Sequence, residues 1–231
     1  MPVLITAETV CKDPIILQLS YGVEQANTYI LVSANHAIVV DVCSKDVAEE
    51  LKNRELMPDY VILTHEHVDH LWGLNALREQ FPDVKVIAQE RCSDAIGSPK
   101  KNKAAQYRIY AALRFGESYQ NDETKNRKYC CAPAEITFSE SYEFEWRRHL
   151  FRLVHTPGHS PGSCIIFMDE NVAFTGDTIL NEETFLKFDG GDEMLFSTVT
   201  VPIINSIKDE MTIIPGHGET FLKKDWKKLN G

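Results

Sequence analysis

The chain has no long apolar run. No stretch of its 231 residues nears the ~20 consecutive apolar residues that a membrane helix needs, so a membrane partner is not expected. No basic stretch followed by an apolar core stands at residues 1–13, so no secretory signal is visible and a cytoplasmic location is the expectation. There is no Cys-x-x-Cys pair among the six cysteines, Cys11, Cys43, Cys92, Cys130, Cys131 and Cys164. Adjacent residues such as Cys130 and Cys131 bridge only with strain, so reduced thiols fit best. Gly-x-Ser-x-Gly is absent, which removes the serine nucleophile of one large hydrolase class. Basic residues are in short supply, 24 against 34 acidic, for a net charge of −10. Such a surface repels phosphate backbones and anionic lipids, so nucleic acid is a poor partner and a small molecule a better one.

What is present suits a globular chain: 43% hydrophobic and 25% charged residues, with no short repeat. The length fits one domain over residues 1–231. Short β-branched runs at 15–20, 28–33, 37–42, 60–64 and 85–88 read as strands. So do 150–155, 164–168, 171–174 and 211–214. Helical spacing marks 45–54, behind a Ser44 cap, and also 71–81 and 222–229. Strands alternating with helices predict a mixed α/β layered sandwich. Residues 98–129 break this rhythm with basic and aromatic side chains, and read as a partly helical insertion.

The chemistry concentrates in His65-Glu66-His67-Val68-Asp69-His70, directly after a predicted strand. Three imidazoles and a carboxylate within six residues are a dense metal-ligand set in a chain with eight histidines. Three more candidates sit on Gly-containing loops after strands: His159 in Pro157-Gly158-His159, Asp177 in Gly176-Asp177-Thr178, and His217 in Pro215-Gly216-His217-Gly218. Glu66 lies between two candidates and is expected to be exposed. His36 and His149 read as solvated, and His155 as a structural hydrogen-bond donor. Ser160 reads as a turn residue, and Trp72 as a core residue over the histidine loop.

This series resembles the metallo-β-lactamase superfamily, in order and spacing, from about residue 15 to the last strand. The resemblance implies a four-layer αββα sandwich with the site on one edge. It implies two zinc ions, with iron or manganese as alternatives. By position, His65, His67 and His159 would hold the first ion and Asp69, His70 and His217 the second, with Asp177 bridging. Asp69 would also orient a metal-bridging hydroxide, and Asp41 resembles the family's buried aspartate that supports a ligand. Cys43 and Trp72 stand where the family commonly has small residues.

Within the superfamily the glyoxalase II-like branch, thioester hydrolases acting on acyl-glutathione, is most similar. Gly176-Asp177-Thr178 and the later Leu186-Lys187-Phe188-Asp189-Gly190-Gly191-Asp192 carry that likeness. Lys187 then stands where a basic residue would meet a substrate carboxylate. Those enzymes add a helical C-terminal domain that contacts glutathione, whereas here 14 residues follow His217. Residues 98–129 are therefore expected to wall the substrate, with Tyr107, Arg108, Tyr110 and Arg114 near it. The same motif also serves an iron persulfide dioxygenase, a lactonase or β-lactamase, and an RNase Z-like phosphodiesterase. The acidic charge weighs against the last, and the missing export signal against a β-lactamase.

Overall fold

The computed structural model describes residues 3–4, 13–22, 25–107, 109, 128–187 and 189–229. A seven-stranded sheet holds β1 (Val3–Leu4), β2 (Ile15–Tyr21), β3 (Ala26–Ser33), β4 (His36–Val40), β5 (Met57–Ile62), β6 (Lys85–Gln89) and β7 (Ile136–Phe138), in that spatial order. Strands β2, β3 and β4 form an antiparallel meander. From β4 to β7 neighbours run parallel, which requires crossovers on one face. Helices α1 (Asp46–Asn53), α2 (Leu74–Gln80) and α3 (Glu90–Ile96) lie in those crossovers.

The second sheet has six strands: β8 (Ser141–Trp146), β9 (His149–His155), β10 (Cys164–Met168), β11 (Val172–Gly176), β12 (Thr212–Pro215) and β13 (Phe221–Leu222). Between β11 and β12, which are parallel, comes α4. It runs through Glu193–Leu195, a π-helical Phe196–Thr200 and Val201–Ser206. Helix α5 (Lys223–Leu229) follows β13.

The period of two along each strand sorts side chains into layers. Ile30, Val39, Val61 and Val86 face the helices, meeting Val47 and Leu51 of α1, Leu74 and Leu77 of α2, and Ile96 of α3. Their neighbours Tyr29, Leu31, Ile38, Val40, Ile62 and Ile87 face the other sheet and meet Phe151, Leu153, Ile166 and Phe174. On the far face of that sheet Ile165, Phe167, Ala173 and Ile213 pack against Ile204 of α4 and Trp226 of α5. The four layers are thus α, β, β, α, as the resemblance implied. Each buried Leu, Ile or Phe contributes roughly 1.5–3 kcal/mol, so the three interfaces supply most of the favourable energy.

Boundaries shift modestly. The 45–54 helix is Asp46–Asn53, and the Ser44 hydroxyl accepts the Asp46 amide at 3.2 Å. The 71–81 helix begins only at Leu74, because Val68–His70 is a separate 3₁₀ turn. Residues 98–129 fall between α3 and β7, and their described part is turns up to a helical Tyr107. Among the described residues no helix is long and apolar enough to cross a membrane.

Direction places the site. Parallel neighbours end at the same edge, so β4 delivers Asp41 beside the loop that follows β5. In the other sheet β9, β11 and β12 share one direction, and deliver His159, Asp177 and His217 to one edge. Cross-sheet bonds bring the two edges together: the Cys164 amide to the Thr64 carbonyl at 2.8 Å, and the Asn27 amide to the Gly216 carbonyl at 2.8 Å.

Candidate metal centre

Asp41 is the anchor. It is 1% exposed and takes a left-handed φ of 55°, uncommon for a non-glycine residue. Its carboxylate accepts the Thr64 amide at 2.8 Å, the Thr64 hydroxyl at 2.7 Å and His70 Nδ1 at 2.9 Å. Because the Thr64 hydroxyl gives its proton to Asp41, its oxygen can only accept from His65 Nδ1, 3.0 Å away. One buried carboxylate thereby fixes the orientation of two imidazoles and turns both Nε2 atoms into the site. His159 is set likewise: Nδ1 lies 3.0 Å from the Phe185 carbonyl, an acceptor, which leaves Nε2 facing inward.

Two groups of donor atoms result. The ligand atoms of His65, His67 and His159 lie within 4.8 Å of one another, as do those of Asp69, His70 and His217. His67 Nδ1 approaches His159 Nε2 at 3.1 Å, and His70 Nε2 approaches His217 Nε2 at 3.3 Å. Asp177 touches both groups, with Oδ2 3.6 Å from His159 Nε2 and 3.4 Å from His217 Nε2. Glycine is required close by. A Cβ on Gly216 would fall 2.4 Å from Asp177 Oδ1 and 2.8 Å from His70 Cε1. Gly176 has φ of 48°, and a Cβ there would strike the Thr64 hydroxyl at 2.5 Å.

The two groups differ electrostatically. Burial, reinforced by neighbouring imidazoles, holds His65 and His67 well below the usual histidine range. Burial also lowers His159. For His70 and His217 burial acts the same way, but the adjacent Asp177 and Asp69 carboxylates override it and lift both well above that range. Burial would raise Asp69 and Asp177, yet these same imidazoles hold both below the ordinary carboxylate range.

The donors fit divalent metal. His65 Nε2 is buried and has no hydrogen bond, and its proton is already placed on Nδ1. A desolvated imidazole lone pair aimed at two other imidazoles is costly without a cation. Nitrogen and carboxylate donors together suit zinc, iron or manganese.

The model of the metallo-β-lactamase superfamily matches residues 21–217. The chain belongs to the metallo-β-lactamase superfamily. A probable metallo-hydrolase of Streptococcus pyogenes serotype M6 is 26% identical over 198 residues, covering 84% of this chain and 77% of that protein. A hydroxyacylglutathione hydrolase of Francisella tularensis subsp. novicida is 26% identical over 155 residues, covering 66% of this chain. The match spans 47% of that enzyme's length. The solved BLEG-1 B3 metallo-beta-lactamase superposes with a TM-score of 0.77 at 23% identity, covering 93% of this chain and 97% of its own. At that identity the likeness speaks for the metallo-β-lactamase fold alone.

All seven residues that the superfamily pattern picks out converge at one sheet edge, with Asp41 beneath them. The expected substrate contacts fare differently. Tyr107 is 5% exposed and stacks edge-on against Trp72 at 5.7 Å, in a cluster with Val68 and Ala104, so it braces the histidine loop. Trp72 accordingly packs over that loop. Lys187 is exposed, two residues beyond the Phe185 carbonyl that holds His159. Arg108, Tyr110 and Arg114 lie outside the described residues.

Glu66 corrects its expectation. It is not exposed but 2% accessible, accepting the Ser160 hydroxyl at 2.9 Å and the Gly162 amide at 3.4 Å. The carboxylate turns away from the ligand atoms into the protein and stitches the histidine loop to the His159 loop. Burial pushes its pKa up, against the Ser160 hydrogen bond. His36 and His149 are not merely solvated either: each lies 2.8 Å from a carboxylate, of Asp59 and Asp169. His155 does bond structurally, with Nε2 2.9 Å from the Pro161 carbonyl.

Four further supports carry no motif of their own. The Tyr29 hydroxyl donates to the Pro215 carbonyl at 2.7 Å and the Asn27 amide group to the Gly218 carbonyl at 2.9 Å, gripping the His217 loop. Thr64 relays Asp41 to His65. The fully buried Asn102 accepts the Val68 amide on its backbone carbonyl at 2.9 Å, clamping the histidine loop from the segment between α3 and β7.

Proposed function

We propose that the protein is a two-metal hydrolase acting on a thioester or another small ester-like substrate. One observation carries the reading: two three-donor groups share Asp177, which reaches an imidazole of each. His65, His67 and His159 would hold one divalent ion and Asp69, His70 and His217 the other, with Asp177 between them. Zinc is the first choice for both. When bound, such ions supply Lewis acidity toward the scissile carbonyl and lower the pKa of water.

The chain's own groups do the rest. Asp41 fixes the two rings that begin and end the histidine motif, so the donor atoms are in place before any ion arrives. Asp69 stays ionised, 14% exposed, with Oδ2 3.5 Å from His217 Nε2. A carboxylate there can accept a proton of the attacking water and align its lone pair with the carbonyl. Lys187 stands on the loop beside His159, exposed, where its ammonium can meet an anionic group on the substrate. The thioester class is favoured by the run from Asp177 to Asp192 and by the hydroxyacylglutathione hydrolase among the relatives.

The deciding test is hydrolysis of S-lactoylglutathione by zinc-loaded protein, next to Asp69→Ala with its metal content measured. Turnover that collapses in the variant while both ions are retained supports the reading. No thioester or ester turnover from protein carrying two ions overturns it.

A further inference from the structure

A cleft of roughly 460 Å³ opens beside the histidine loop. Its walls carry Arg91, Lys100, Lys101 and Lys103, along with the carboxylates Glu66, Asp94 and Asp189. Four cations in one cleft are conspicuous in a chain of net charge −10. The carboxylates do not cancel them evenly. Glu66 spends its oxygens on Ser160 and Gly162. Asp189 is engaged by Lys103 Nζ at 3.4 Å. Among the described residues Arg91, Lys100 and Lys101 form no ion pair, and the lining's four cations outnumber its three carboxylates, a positive excess in an acidic chain.

The cleft is also tied to the candidate centre. Glu66, in its lining, stands between His65 and His67. The lining also includes Pro161, two residues past His159, and Gly190, three past Lys187. Lys103 has a left-handed φ of 68°, a conformation that costs a lysine of order 1 kcal/mol and persists only where neighbours impose it. The neighbour here is Asn102, whose side-chain oxygen accepts the Ala104 amide at 2.9 Å. That residue also clamps the histidine loop, so the cleft and the centre are held in fixed relation.

We propose that this cleft binds the phosphorylated, non-reacting end of the substrate. The proposal rests on the thioester reading above and narrows it to thioesters of a phosphorylated carrier. A glutathione tail offers two carboxylates and an ammonium, and the ammonium would meet like charge here. A phosphate offers concentrated negative charge, which flexible ammonium groups and a guanidinium match well. The volume lies within the ~300–1,000 Å³ usual for small-molecule sites. Binding energy gathered on a non-reacting part of the substrate can hold the carbonyl at the centre.

Two measurements on the metal-loaded protein test it. The first compares kcat/KM for acetyl-coenzyme A with that for S-acetylpantetheine, which lacks the phosphates, in wild type and in Lys100→Ala/Lys101→Ala. The proposal expects the ratio of the two to fall at least tenfold in the variant, and an unchanged ratio overturns it. The second is calorimetric binding of adenosine 3′,5′-bisphosphate to both proteins. Wild-type binding that weakens tenfold or more in the variant supports the cleft, and binding equal in both overturns it. If neither thioester is hydrolysed yet the lysine-dependent binding is seen, the thioester reading falls and the anion subsite stands.

Discussion

The two halves of the candidate centre use the same side chains to opposite effect. His65, His67 and His159 meet mainly burial and one another, and are held neutral. His70 is buried and His217 partly so, and both face Asp69 and Asp177, which favour their protonated form. One half is a ready cage of lone pairs. The other is a closed network of ion pairs, with contacts of 3.4–3.8 Å, that a cation must open. A ligand list therefore does not define a metal site; the carboxylates around an imidazole decide whether it waits empty or proton-filled.

The largest effect should come from removing what both halves share. Asp41→Ala strands the Thr64 amide and hydroxyl and His70 Nδ1 in a buried site. A loss of ~3–5 kcal/mol in stability is expected by urea denaturation, with less than one ion per chain by elemental analysis. A variant that kept two ions would break the comparison, because Asp41 would then orient neither half. Next, His159→Ala and His217→Ala should each leave one ion per chain and reduce hydrolysis by more than about 100-fold. Loss of both ions in either variant would mean the halves bind as one unit.

Proton release sharpens the contrast further. The adjacent carboxylates raise His70 and His217 above the ordinary histidine value, so an ion entering there must displace protons held in that half. Its affinity should rise with pH. The three-histidine half is already neutral and should release almost none above pH 6.5. Zinc titration by calorimetry in buffers of different ionisation enthalpy measures both; equal release from the two steps would refute the assignment. In the metal-free protein the signs separate too. The raised pair stabilises at low pH, and that contribution is lost as pH rises through its folded values. The depressed three stabilise above about 6.5, and that contribution is lost as pH falls.

The smallest expected effect lies outside the ligands. Glu66→Ala leaves the Ser160 hydroxyl and Gly162 amide without their acceptor and should cost about 1–3 kcal/mol by denaturation. Glu66→Gln keeps an acceptor and should cost less than about 1 kcal/mol. A larger loss in the conservative variant would show that the charge itself holds the two loops together.

What could be read from the sequence follows the range of the interaction. The ligand loops were legible because each sits at the end of a β-branched strand, and parallel strands end together. The layers were legible from strands alternating with helices, whereas β3 is buried on both faces, with Ile30 and Leu31 in opposite cores. Glu66 was misread because its partner Ser160 lies 94 residues away, and no local pattern marks a buried carboxylate. Helix α3 is absent from the sequence reading, although α2 and α5 have the same seven-residue length. Strand β8 reads Ser-Tyr-Glu-Phe-Glu-Trp, a strict polar–apolar alternation that marks a half-buried strand and that the strand reading above leaves out. Tyr107 was taken for a substrate contact on composition, whereas Trp72 and Val68 claim its ring.

Asn102 carries one more consequence. Its side-chain amide donates to the Ile96 carbonyl at 3.2 Å and to the Tyr129 carbonyl at 3.0 Å, positions far apart in sequence. It works as a clasp that closes a ring of chain. Once a ring is clasped, doubling its contents costs only ~0.6 kcal/mol of closure entropy. The part of that ring beyond Tyr107 is thus a cassette: its length and content can change while Asn102 and Tyr107 keep hold of the histidine loop, so new substrate preferences can evolve on an unchanged centre.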